Sequence, residues 1–208
     1  MYATTLMGLL FFGCSETKDK DTGTEITGTE DTGAEDTGTT ASFVTDAFEC
    51  SPTTGSAMAQ GTDLMRVTLD SEEAICNDGS PAVMFIRRAA TADDEGDWVF
   101  HLQGGGGCGG ADCMERWCTR NEKMTSTRAP TGMNEKGILE RGEHNDLGNA
   151  NQVYLYYCSS DNWAGTKKDA VVDSTADTPE FRLHFQGSAI LEEAFSRLET
   201  GVTSDDGS

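Results

Sequence analysis

Basic residues, proline and long apolar runs are all scarce in this chain. Of its 208 residues only 15 are Lys or Arg, against 36 Asp or Glu, for a net charge of −21. Phosphate backbones and anionic headgroups are bound by basic surfaces. The charge balance therefore excludes nucleic acid as a partner, and it excludes polybasic attachment to a membrane. No apolar run approaches the ~20 residues that a spanning helix needs. Hydrophobic residues make up 36 %, beside 24 Gly and only 4 Pro. That is thin material for a core over the whole length, so part of the chain is predicted to stay unfolded. One domain plus extra sequence is the expectation for a length of about 1.4 domains. The seven Cys, by contrast, are many for a reducing compartment and point to an oxidising one.

Residues 6–13, Leu-Met-Gly-Leu-Leu-Phe-Phe-Gly, form a short apolar stretch that ends in a small residue before Cys14. The order resembles a bacterial lipoprotein signal, although no Lys or Arg precedes it. It predicts residues 1–14 as a signal and Cys14 as the lipidated first residue of an exported protein. Residues 21–40 are a repeat of period five, with Gly at 23, 28, 33 and 38 and Thr before each. Such a segment has nothing to bury, so 15–49 reads as a disordered acidic tether. A flexible coil of that kind reaches on the order of 30 Å. Asp-Thr-Gly, the aspartic-protease signature, occurs at 21, 31 and 36. These copies lie in a polar repeat and not in a packed strand, so they carry no catalytic reading.

From Cys50 to Ser208 apolar runs alternate with turn signals, and this is the predicted folded part. Leu64–Leu69, Val83–Ile86, Trp98–Gln103 and Gln152–Tyr157 read as strands. Asp93-Asp94-Glu95-Gly96 reads as the turn of a hairpin between the second and third of these. Asp112–Glu122 fits one or two helical turns. Ile190, Leu191, Ala194, Phe195 and Leu198 give one apolar helix stripe, which Gly201 stops. His101 and His184 fall in strand-like segments and read as packed residues. His144, in a polar loop, reads as solvated. Strands early and a strand-then-helix late make an α/β sheet.

The seven residues Gly104-Gly105-Gly106-Gly107-Cys108-Gly109-Gly110 follow directly on a strand. No Gly-Lys-Ser/Thr comes after them, which removes a phosphate-cradling loop. A glycine loop in this place suits an oxyanion hole, whose backbone amides point at a developing negative charge. A flexible loop pinned by disulfides is the plainer alternative. Setting Cys14 aside, six Cys remain, and an even number in an exported chain allows 15 disulfide connectivities. A zinc site from Cys108, Cys113 and Cys118 is the rival; its spacings of five are wide for zinc.

Five segments together resemble the pectin acetylesterase/Notum family. They are Cys76-Asn77-Asp78-Gly79-Ser80-Pro81-Ala82, Leu102 to Cys108, Met124-Thr125-Ser126-Thr127 with Gly137-Ile138-Leu139, Tyr157 to Gly165, and Phe185-Gln186-Gly187 with the helix that follows. Their order and spacing agree over about residues 76–200. The resemblance implies the N-terminal portion of an α/β-hydrolase-like fold with a Ser-Asp-His triad. It implies backbone amides near Gly105 and Gly106 in the oxyanion hole, where relatives often carry a bulky aromatic at 106 or 107. It implies an ester substrate, with acetylated polysaccharide as the substrate class, and no cofactor or metal. It also implies the disulfides Cys108–Cys113 and Cys76–Cys158, which leave Cys50 with Cys118. The family's Gly-x-Ser-x-Gly-like elbow lies one strand after the Ile190–Leu198 helix, and no Gly-x-Ser-x-Gly occurs in this chain. The expectation is therefore an N-terminal fragment of a lipid-anchored carboxylesterase that lacks the triad and touches the membrane only through its lipid. A non-catalytic, disulfide-rich surface lipoprotein is the alternative.

Overall fold

The computed structural model describes residues 42–44, 50, 58–172 and 180–207. Cys14, the signal and the five-residue repeat lie outside the described residues. Among the described residues eight strands form two sheets: β1 Ser42–Phe43, β2 Leu64–Thr68, β3 Val83–Arg87, β4 Trp98–Leu102, β5 Gly132–Met133, β6 Asn151–Leu155, β7 Lys167–Val172 and β8 Phe181–Phe185. Two α-helices among the described residues accompany them, α1 Asp112–Arg120 and α2 Gly187–Thr200. No helix among the described residues is long and apolar enough to cross a membrane.

The larger sheet has the order β4-β6-β3-β2-β5. Every residue of β6 is buried, as befits a strand flanked on both sides and covered on both faces. β6 pairs antiparallel with β3 and parallel with β4. A parallel pair needs a long crossover, and residues 103–150 supply it, with the glycine loop and α1 at its start. β3 and β4 are consecutive in sequence but are not neighbours, because β6 lies between them. The hairpin expected at Asp93–Gly96 is therefore corrected. Its residues form a short 3-10 turn, Ala92–Asp94, in a connection that passes the start of β6. Asn151 ties that connection down: its side chain accepts from Ala89 N (3.1 Å) and donates to Glu95 O (2.9 Å) and Asp97 O (3.0 Å).

The smaller sheet has the order β1-β8-β7. Ser42–Phe43 pair parallel with β8, and Val44 is fully buried. The folded unit thus starts inside the stretch read as tether, where Phe43 and Val44 bring the first adjacent bulky apolar pair after the repeat. β7 is broken by an irregularity between Lys167 and Ala170, with Asp169 at φ +54°.

Helix α2 buries Ile190 and Ala194 against the core, and Leu191 and Leu198 pack there in part. Phe195 of the same stripe stays 44 % exposed and lies 5.0 Å from Phe100 of β4. Gly201 ends the helix at φ +93°. Three disulfides close the folded unit: Cys50–Cys118, Cys76–Cys158 and Cys108–Cys113. They are the pairs implied by the resemblance together with the pair it left. The sulfurs of Cys108, Cys113 and Cys118 are thereby committed to two bridges, which rules out the zinc reading.

Candidate functional site: a glycine loop at the end of an edge strand

Four of the five segments singled out in the sequence meet around the end of β6, and Asn77 shows how. Its amide donates to Ser159 O (2.8 Å) and His184 O (2.6 Å), and its backbone N–H donates to Cys158 O (2.9 Å). The Cys76–Cys158 bridge sits beside these bonds, with both Cys fully buried. Ser80 Oγ donates to Asp78 Oδ1 (2.6 Å) and accepts from Ser126 N (3.0 Å), while Ser126 Oγ donates to Pro81 O (2.6 Å). The polar side chains of these segments thus satisfy backbone groups that a buried junction of loops would otherwise leave unpaired.

Asp161 performs the same service for α2. Gln186, at the N-cap, makes no capping bond from its side chain. Asp161 Oδ2 instead accepts from Gly187 N (2.6 Å), placing a carboxylate at the helix N-terminus. Its Oδ1 accepts from Ser159 Oγ (2.6 Å) and Trp163 N (3.0 Å). A Cβ on Gly187 or Gly165 would overlap that carboxylate, which accounts for glycine at both. Trp163 packs against Tyr157 at 5.1 Å between ring centroids. Asp161 and Trp163 are therefore builders of the loop.

The glycine loop leaves β4 at Gln103 and is seated on this assembly. Three of its carbonyls are held. Gln103 O accepts from Trp163 Nε1 (3.3 Å), Gly105 O from Arg116 Nη1 (3.0 Å), and Gly106 O from the Tyr157 hydroxyl (2.8 Å). Gln103 Oε1 in turn accepts from Tyr157 N (2.9 Å), and Cys108 N donates to Ser160 O (3.1 Å). The seating is close. A Cβ on Gly105 would lie 2.7 Å from the Tyr157 ring, and one on Gly107 would lie 2.8 Å from Ser160 O. Gly106 has open space around it but sits at φ +71°. Among the described residues, the amides of Gly104, Gly105, Gly106 and Gly107 donate to no protein acceptor. Gly104, Gly106 and Gly107 are exposed.

The charge around the loop runs against the acidic whole. Burial, and then the neighbouring cations, hold the Lys123 ammonium below its usual range, and burial does the same to the Arg116 guanidinium. Burial pushes the Tyr157 phenol up, so it stays protonated and able to donate. Nothing resembling a triad gathers at the loop among the described residues. His101 stacks on Tyr154 at 4.9 Å, with its pKa lowered by burial and by Lys136. His184 is buried, with Nδ1 accepting from Asp169 N (3.2 Å) and its pKa lowered chiefly by burial. His144 is exposed. No group of three or more metal-ligating side chains is found among the described residues.

The edge of β4 beside the loop is unpaired among the described strands. Trp98 (42 % exposed), Phe100 (40 %) and Phe195 form an aromatic row there. They line a groove of about 430 Å³ with Leu198 and Glu199, which does not include the glycine loop. Arg116 was not singled out in the sequence, and Tyr157 stood there only as a strand end and the start of a family-like segment, with no role at the loop. The signal for Arg116 was its place on α1 three residues after Cys113, a position that turns it toward the loop bridged by that cysteine.

The family model described as Pectinacetylesterase matches residues 57–204. Among individual proteins, the palmitoleoyl-protein carboxylesterase NOTUM of Drosophila melanogaster is 34 % identical over 138 residues, 65 % of this chain and 20 % of its own. The human protein of that name is 32 % identical over 146 residues, 69 % and 27 % of the two chains. The inactive palmitoleoyl-protein carboxylesterase notum1b of Danio rerio is 33 % identical over 101 residues, 47 % of this chain and 70 % of its own. The crystal structure of the Wnt deacylase Notum from Drosophila superposes with a TM-score of 0.57 at 31 % identity, over 67 % of this chain and 39 % of that one. The fold is thus α/β-hydrolase-like, and the chain spans 20 % to 27 % of the length of the Drosophila and human relatives.

Proposed function

This chain belongs to the pectinacetylesterase family, and from that premise we propose that it is the N-terminal part of an exported, lipid-anchored serine carboxylesterase acting on acetylated polysaccharide. Its own contribution to the reaction is the oxyanion hole. When a serine oxygen bonds to the ester carbonyl carbon, the carbonyl oxygen takes on negative charge. Collapse of that intermediate expels the alcohol, and amides fixed in advance around the oxygen stabilise the charged stage most. The observation that carries this reading is the run of four unpartnered amides, Gly104 to Gly107, on a loop whose carbonyls are tied to the protein. Backbone donors left open on a rigid loop, at the C-terminal end of a sheet strand, suit an anionic oxygen. The edge of β4, unpaired among the described strands and apolar at Trp98, Val99, Phe100 and Leu102, supports a further strand in the whole enzyme. The nucleophile, its base and the base's partner then come from chain outside the 208 residues, and these alone hydrolyse no ester. The three disulfides support export, because a reducing compartment does not sustain such bridges.

The Danio rerio relative gives a second reading its support. That protein is named inactive, and this chain matches 70 % of its length. A non-catalytic surface lipoprotein would use the same disulfide-bonded unit for binding. Two measurements separate the readings. The transcript is read beyond codon 208, and the protein made by the native host is treated with a serine-reactive fluorophosphonate and an activated acetyl ester. Turnover, with the labelled serine lying beyond residue 208 in a Gly-x-Ser context, is the expected result. A stop codon at 209 with no labelling would favour the lipoprotein. Labelling of a serine within residues 1–208 would overturn the division of labour proposed for the enzyme.

A further inference from the structure

Resting on that reading of the loop, the geometry points to Arg116 and Tyr157 as the positioning residues that aim the oxyanion amides. A peptide group is planar and trans, so its carbonyl and its N–H point to opposite sides. Arg116 Nη1 holds Gly105 O at 3.0 Å, and the amide in the same peptide, Gly106 N–H, faces away from the guanidinium. The Tyr157 hydroxyl holds Gly106 O at 2.8 Å, and Gly107 N–H faces away from the phenol. Both anchors belong to one side of the loop. Arg116 Nε donates to Ser160 Oγ (2.8 Å), and the Tyr157 oxygen accepts from Asn162 N (2.7 Å), so both are fixed to the 157–163 segment. Two consecutive amides are thereby turned to the opposite, open side.

Glycines alone do not accomplish this. Each is freer than any other residue, and a loop of four would spend little time with its amides aligned. The anchors remove that freedom by gripping carbonyls, which leaves every donor of the pair open. The close fit of Gly105 on the Tyr157 ring and of Gly107 on Ser160 O completes the seating. Neither anchor is assigned a contact with the reacting carbonyl. They act through the peptides they hold, and their contribution is pre-organisation of the donors.

The experiment compares the 208-residue chain, with glycine labelled in ¹³C and ¹⁵N, to Tyr157→Phe and Arg116→Met. Both substitutions keep the bulk of the side chain and delete the donor. Tyr157→Phe is expected to move the carbonyl resonance of Gly106 and the amide nitrogen of Gly107 while the Gly105 carbonyl stays in place. Arg116→Met is expected to move the carbonyl of Gly105 and the amide nitrogen of Gly106. Loop resonances that stay put in both variants, or that move alike in both, would overturn the assignment. The same variants are made in the protein produced by its native host and assayed on an acetyl ester. kcat is expected to fall by about 10²-fold, the scale of an ångström-sized misplacement, with KM within twofold of wild type. Unchanged kcat in both variants would remove the positioning role and leave the esterase reading intact. A wild-type protein with no turnover, but with the residue-specific resonance pattern, would sink the esterase reading while the positioning of the loop peptides stood.

Discussion

Asp161→Asn changes one atom of a carboxylate that serves three donors, and the cost can be followed bond by bond. In the wild type Oδ2 accepts from Gly187 N, and Oδ1 accepts from Ser159 Oγ and Trp163 N. If the new amide nitrogen replaces Oδ2, it faces the Gly187 N–H, donor against donor. If the amide flips, the nitrogen faces the Trp163 N–H instead. The Ser159 hydroxyl can rotate and accept, but a backbone N–H cannot. Either way one backbone donor in a part-buried junction loses its acceptor, at about 1–3 kcal/mol. Loss of the negative charge at the N-terminus of α2 adds about 0.3–1 kcal/mol. The sum is about 1–4 kcal/mol. For a folded unit of this size, at about 2–4 °C per kcal/mol, it lowers Tm by about 3–16 °C. Thermal unfolding followed by near-ultraviolet circular dichroism reads the global loss and the environment of Trp163 together. A Tm within one degree of wild type would refute the reasoning, because it would mean that the carboxylate is not what holds Gly187 and Trp163.

Gly105→Ala drives a methyl group into the Tyr157 ring and is expected to cost about 1–3 kcal/mol by overpacking. Gly106→Ala meets open space and costs about 1–2 kcal/mol through its left-handed φ alone; chemical denaturation checks both, and Tyr157→Ala should relieve only the first. His184 is held neutral in the fold, its pKa lowered by burial, whereas in the unfolded chain it protonates near pH 6.5. Its effect on stability is absent well above pH 6.5 and grows as a loss when pH falls below that value toward the folded pKa, since the unfolded state then binds the extra proton. The stability-against-pH curve of His184→Gln should accordingly be flatter than that of wild type between pH 7 and 5, and parallel curves would show that the imidazole does not titrate as described. Cys14→Ser should move the protein from the membrane fraction to the soluble one, and identical fractionation would remove the lipid anchor.

How much of this was legible in the sequence depends on whether the signal was local. Strands β2, β3, β4 and β6 stand out as apolar runs, and α2 as a stripe ended by Gly201, because periodicity and a stop residue lie within a few positions of each other. The hairpin between β3 and β4 was misread because a strand more than fifty residues further on, β6, takes the place between them. Turn chemistry cannot report such an insertion. β7 escaped notice for a local reason: it opens on Lys167-Lys168-Asp169, and its irregularity breaks the alternation that marks a strand. The glycine loop was visible as composition. Why each glycine is needed was not, since the atoms that would collide with a side chain belong to Tyr157 and Ser160, some fifty residues away. The role of Tyr157 was hidden for the same reason, because a hydrogen bond to a carbonyl some fifty residues away leaves no pattern in the residue's own neighbourhood.

The two long disulfides interleave: Cys50 and Cys76 come first in the chain, and their partners, Cys118 and Cys158, follow in the same order. A ribosome releases Cys50 and Cys76 well before either partner has been made. Oxidation in order of appearance would join the two early thiols to each other, which is not a bridge of the native fold. Reaching the native pairs from that start requires thiolate attack on a bond already formed, through a mixed disulfide. A host that merely oxidises thiols would therefore accumulate scrambled chains, and one that also shuffles them would not. The choice of expression strain then decides the yield of correctly bridged protein, with no change to the sequence.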